Sequence, residues 1–216
     1  MGDGDKTRYP ARMRGWALYR DFALWLFLPL LLLAASSWVT ASPAAPSTQS
    51  VLGAVPDGSV ILFRHAVAPG GGDPVGFRLG DCATQRNLDT QGREQARRIG
   101  EQLRRAGVSV STVWTSQWCR TRETAALAFP GQRVVDQPAF NSFFDDRSKA
   151  DEQTARARAL LQAWRGPGVL VVTTHQVNIT ALTGISPSSG EGIVVRVAHD
   201  GLLVMGRIPP PTGPVL

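Results

Sequence analysis

Apolar residues along this chain fall into short solid runs that alternate with stretches where they recur every three or four positions. The solid runs, Val60–Phe63 and Val169–Thr174, predict strands buried on both faces, and β-branched Val108–Thr115 and short Gln132–Asp136 predict two more. Between them the period lengthens. In Gln91–Ala106 the residues Ala96, Ile99, Leu103 and Ala106 repeat at helical spacing, with Asp89 or Thr90 as cap and Gly107 as stop. Arg120–Phe129, Asp151–Trp164 and Gln176–Leu182 complete the predicted helices, while Phe140–Asp146 follows no period. Glu191–Ala198 and Leu202–Ile208, joined at Asp200-Gly201, predict a terminal hairpin. Alternating strands and helices predict an α/β fold, a three-layer α/β/α domain with a mostly parallel central sheet. There is no internal repeat.

The chain has 216 residues, enough for one domain with a full core plus an appendage. The appendage precedes the first strand. Lys6, Arg8, Arg12, Arg14 and Arg20 lead into an apolar run from Phe22 to Ala35, followed by small residues up to Val39-Thr40-Ala41. Residues 1–41 therefore predict a secretory signal peptide cut after Ala41, or an uncleaved membrane anchor; the cleaved signal is the preferred reading. Either one exports the domain to a periplasmic or other extracytoplasmic space. Residues 42–50, rich in Pro, Ala and Ser, read as a linker, 51–208 as the domain and 209–216 as a loose tail.

Of the formal net charge of +6, the leader holds +2, from five Lys/Arg against three Asp. The remaining cations are arginines except for Lys149. Guanidinium forks suit bidentate recognition of phosphate or carboxylate. No basic run is interleaved with aromatic residues, which argues against nucleic acid as a partner. Cys82 and Cys119 are the two cysteines. In an oxidising compartment an even count points to one disulfide, with two unpaired buried thiols as the alternative.

The predicted strands stop on chemically loaded residues: Arg64-His65, then Ser116 to Arg120, then His175. Carboxyl ends of neighbouring strands in an open α/β sheet line one crevice. Two arginines and two histidines meeting there would form a site for a tetrahedral dianion, and a neutral imidazole among them could attack phosphorus. The carboxylates do not group with the histidines at ligand spacing, so neither a metal nor another cofactor is called for.

Arg-His-Ala at 64–66, Leu-Asp-Thr-Gln-Gly-Arg-Glu-Gln-Ala at 88–96, Thr-Ser-Gln-Trp-Cys-Arg-Thr-Arg-Glu-Thr-Ala at 115–125 and Val-Val-Thr-Thr-His at 171–175 together resemble the histidine phosphatase superfamily, the phosphoglycerate-mutase-like fold. The resemblance implies that His65 is the phosphorylated nucleophile and that Arg64, Arg120 and His175 are its phosphate-pocket partners. Together with the leader, it implies an exported phosphomonoesterase that works through a phosphohistidine without metal, on a small phosphorylated substrate such as a sugar phosphate. A phosphate-binding domain without turnover is the alternative. The loop 67–87, with Asn87 as a substrate contact, and the segment 140–149 are the expected rim. One departure stands out. Where the family carries a proton-donating glutamate, this chain has Ser142, so Asp145, Asp146 and Asp73 are the candidate donors.

Overall fold

The computed structural model describes residues 48–53, 55–199 and 201–211. The predicted signal or anchor and the start of the linker, like the last five residues, lie outside them. Among the described residues no helix is long and apolar enough to cross a membrane.

Six strands form one sheet in the order β3-β2-β4-β1-β5-β6. These are β1 (Ser59–Arg64), β2 (Val110–Thr115), β3 (Val134–Asp136), β4 (Val169–Thr174), β5 (Gly192–Ala198) and β6 (Gly201–Ile208). The first four run parallel, and the β5–β6 hairpin adds two antiparallel strands on the free side of β1. β1 and β4 lie in the middle of the sheet with both faces covered by packed side chains, and this is why their sequences are solid apolar runs rather than alternating ones.

The pleat divides β1 between two cores. Ile61 and Phe63 pack with Ile99, Leu103, Ala125 and Phe129, beneath helices α2 (Thr90–Arg105) and α3 (Cys119–Ala128). Val60 and Leu62 pack with Ala157, Leu161, Ile179 and Leu182, beneath α4 (Ala150–Ala163) and α5 (Gln176–Thr183). Helices on both faces make the three-layer α/β/α arrangement. A short helix, α1 (Thr48–Gly53), begins inside the stretch read as linker, and its Val51 and Leu52 join the first core.

Helix α2 lies close to its neighbours because two of its positions are glycine. A Cβ on Gly92 would sit 1.9 Å from the Val67 carbonyl oxygen, and one on Gly100 would sit 1.8 Å from that of Ala128. Asp89 caps the helix, its Oδ1 accepting from the Gly92 amide at 2.7 Å. Gln95 braces the chain that follows β1: its Oε1 accepts from Val67 N at 3.0 Å and its Nε2 donates to Ser189 O at 3.1 Å. The packing of α2 thereby fixes the exit path of the first strand.

Candidate active site

Register brings the chemistry together. β4 pairs Thr174 with Arg64 of β1 and Thr173 with Thr115 of β2, so the residues just beyond these strands meet at one sheet edge. His65 continues the ladder, its amide donating to Thr174 O at 2.9 Å. Ser116 does the same on the other side, donating from N to Thr173 O at 3.0 Å. The crevice is a solvent-open cavity of about 620 Å³. Its lining includes Arg64, His65, Arg86, Arg120, Asp145 and His175.

His65 is 2% exposed, and its Nδ1–H donates to its neighbour's carbonyl, Ala66 O, at 2.8 Å. Burial, and then the charge of Arg120, with smaller effects from Arg86 and Arg64, push its pKa down to about 3; the Ala66 hydrogen bond opposes them. The ring is therefore neutral at physiological pH, with Nδ1 protonated and Nε2 carrying the lone pair. Consistent with that tautomer, Arg120 donates from Nε to His65 Nε2 at 3.3 Å.

His175 lies with its ring centre 5.5 Å from that of His65, and Trp118 packs edge-on against it at 5.2 Å. Its Nε2 is 2.8 Å from Ser116 Oγ, which in turn is 2.8 Å from Thr121 Oγ1. Thr121 spends its own proton on a main-chain carbonyl, Trp118 O at 2.7 Å. The Ser116 hydroxyl must then donate to Thr121, and His175 must donate from Nε2 to Ser116, which leaves Nδ1 unprotonated. Burial, then Arg120, holds the His175 pKa well below its usual value.

Arg120 enters in the first turn of α3, fixed from the preceding residue by the Cys82–Cys119 disulfide, whose Cα atoms are 5.7 Å apart. Arg64 donates from Nη1 to Pro187 O at 3.0 Å, and its Nε has no hydrogen-bond partner among the described residues. Arg86 was not singled out from the sequence. It lines the crevice, donating from Nη1 to Ala68 O and to Gly70 O, with its Nε also unpartnered among the described residues.

Three expectations need correction. Asn87 does not line the crevice: its Nδ2 donates to Cys82 O at 2.6 Å and Gln85 O at 3.1 Å, so it shapes the loop rather than contacting substrate. Asp146 is bound up in a surface turn, accepting from Ser148 Oγ at 2.5 Å and pairing with Lys149 Nζ at 2.9 Å. Asp73 lies in the crevice but is unsuited to giving up a proton. Burial pushes its carboxyl up, but hydrogen bonds and charge from Arg120, the Arg86 amide and the Trp118 indole outweigh this and hold its pKa below the ordinary value. Asp145 and Ser142 do line the crevice, and among the described residues no cluster of His, Cys, Asp and Glu is placed to hold a metal ion.

The family model described as histidine phosphatase superfamily (branch 1) matches residues 60–202. The chain belongs to that superfamily. Solved structures show the same fold at low identity. One is the protein histidine phosphatase SixA complexed with tungstate (18% identity, 70% of this chain and 97% of that one, TM-score 0.50). Another is a mutant phosphoserine phosphatase from Entamoeba histolytica in complex with phosphoserine (12%, 69% and 95%, TM-score 0.50). A third is the product of open reading frame Rv3214 from Mycobacterium tuberculosis (14%, 70% and 97%, TM-score 0.52). No curated protein sequence matches this one. Membership of the superfamily makes the chain a phosphatase by class and accounts for the mixed six-stranded α/β fold.

Proposed function

We propose that this chain is an exported phosphomonoesterase that hydrolyses a small phosphate ester through a covalent phosphohistidine on His65, without a metal. The observation that supports it most is the neutral His65 ring, with its Nε2 lone pair beside Arg120 in a crevice also lined by Arg64 and Arg86. In the first step Nε2 bonds to phosphorus and the ester oxygen leaves with the electron pair of the broken P–O bond. Arg64, Arg86 and Arg120 offset the charge on the remaining phosphoryl oxygens. The leaving oxygen takes a proton from Asp145, the carboxyl group of the crevice not held by an arginine fork, or from water. Water then attacks the phosphohistidine: its proton returns to the Asp145 carboxylate or to solvent, the electron pair of the N–P bond returns to Nε2, and the neutral ring and phosphate are released. His175 Nδ1, unprotonated, can accept a hydrogen bond from the attacking water. The substrate proposed is a sugar phosphate, which the polar, arginine-lined crevice supports, and the leader, cleaved or retained as the protein's one tie to a membrane, would place the enzyme outside the cytoplasm.

Incubation with substrate radiolabelled on phosphorus, followed by quenching in detergent at alkaline pH, tests the mechanism. Label should remain on the protein in alkali, be lost in acid as a P–N bond requires, and be absent from His65→Ala. Ser142, where a proton-donating glutamate is expected, favours a second reading, a phosphate-binding domain without turnover. Phosphate binding with no label and no hydrolysis would establish that reading instead.

A further inference from the structure

We propose that Asp73 is a positioning residue: it grips the Arg120 guanidinium end-on, so that the edge turned to His65 is the one left for the phosphoryl group. This rests on the phosphatase reading above. Asp73 Oδ1 accepts from Arg120 Nη1 at 2.8 Å and from Arg86 N at 3.1 Å. Its Oδ2 accepts from Arg120 Nη2 at 3.0 Å and from Trp118 Nε1 at 3.0 Å. Four donors meet one carboxylate, and the side chains of both Asp73 and Arg120 are only 3% exposed.

The donors of Arg120 can be counted against these partners. Nη1 spends one hydrogen on Asp73 and points the other at Arg86 O, 3.3 Å away. Nη2 spends one on Asp73, and Nε–H points at His65 Nε2. What remains is the second hydrogen of Nη2, joined by Nε–H once His65 Nε2 turns its lone pair to phosphorus, so that the Nε–Nη2 edge offers the phosphoryl group two parallel donors beside the nucleophile. A guanidinium held by only one flexible stem could swing this edge away. A bidentate carboxylate on the adjoining Nη1–Nη2 edge prevents that, as an outer partner fixes a ligand's orientation in a metal site. Asp73 also ends the Pro69–Gly72 loop, whose glycines line the crevice, so the same ion pair holds that wall in place.

This arrangement differs from the two other roles a crevice carboxylate could have. As proton donor, Asp73 would have to be protonated, and four donors oppose that. As a blocker, it would have to occupy the edge facing His65, and it occupies another one.

Asp73→Asn in the full chain, compared with the wild type, separates these roles. Hydrolysis of p-nitrophenyl phosphate and of phenyl phosphate is followed, together with binding of inorganic phosphate by calorimetry. Positioning predicts that kcat falls by about 10- to 100-fold, and equally for both esters, because neither leaving group is involved. It also predicts weaker phosphate binding, with part of the loss recovered in Asp73→Glu, which restores the charge. A loss confined to phenyl phosphate would identify a proton donor instead, and faster turnover with tighter phosphate would identify a blocker; each overturns the proposal. So does an unchanged kcat with a lowered Tm. If Asp73→Asn does not fold, Trp118→Phe removes one of the four donors and should cause a smaller loss of the same kind; no loss of kcat there counts against positioning. Failure of the phosphatase reading itself would show differently, as absence of hydrolysis and of phosphohistidine in the wild type.

Discussion

Holding His65 neutral has a thermodynamic consequence that can be measured without a substrate. Unfolded, its imidazole has a pKa of about 6.5; folded, burial and then Arg120 lower it to about 3. Between those values the unfolded chain binds a proton that the folded chain refuses, so stability falls as pH falls. From pH 7 to pH 5 the penalty for His65 comes to about 2 kcal/mol. His175, shifted in the same direction, adds to it. Asp73 and Glu191, whose folded pKa values are lowered, lose their contributions only below the ordinary carboxylate range, so the window above pH 5 reports mainly on the histidines. Urea unfolding of wild type and His65→Gln at pH 7 and pH 5 checks this. The variant should lose about 2 kcal/mol less across the interval than the wild type does. Equal losses would mean that His65 is not held neutral, and the argument for it as nucleophile would fall with that result.

Two further perturbations test how the site is held. Replacing both Cys82 and Cys119 with Ser frees residues separated by 37 in sequence and should cost about 4 kcal/mol by the loop-entropy estimate, read as a lower urea midpoint. Gly100→Ala drives a methyl group into the Ala128 carbonyl where α2 crosses α3, and should cost about 3 kcal/mol, read the same way.

Most of the framework was readable from local pattern. β1 and β4 announced themselves because strands covered on both faces must be apolar throughout, and their ends carried Arg64, His65 and His175. That β5 would pair antiparallel with β1, rather than the hairpin standing apart, depends on partner choice between distant segments, which no window of sequence encodes. The irregular loops were the hardest. In a segment without a period nothing tells which neighbour faces inward, and the choice of Asn87 over Arg86 missed by one residue. The same holds for Asp145 and Asp146, although there a signal existed. Asp146-Arg147-Ser148-Lys149 places a hydroxyl two residues on and an ammonium three residues on, a pattern that ties an aspartate into its own turn. The bond between Asp73 and Arg120 had no such local signal, since its partners are 47 residues apart.

The cations of this crevice act twice, and one role prepares the other. Arg64, Arg86 and Arg120 lie close enough to depress one another or the histidines, so the fold carries a repulsive field that Asp73 and Asp145 offset only in part. Burial first, and that field with it, exclude a proton from His65 and so leave Nε2 nucleophilic. A phosphate dianion entering the crevice cancels the field, and the positive charge that then grows on the ring as the Nε2–P bond forms is no longer opposed. The Ala66 carbonyl, already accepting from Nδ1–H, strengthens its hydrogen bond as that charge develops. The substrate thus changes the electrostatics of its own nucleophile: the free site keeps the ring unprotonated, and the occupied site lets it carry charge. A pocket with fewer arginines would bind phosphate less tightly and would leave burial alone to keep the proton off its imidazole, which is why cation and nucleophile stand side by side at the end of the first strand.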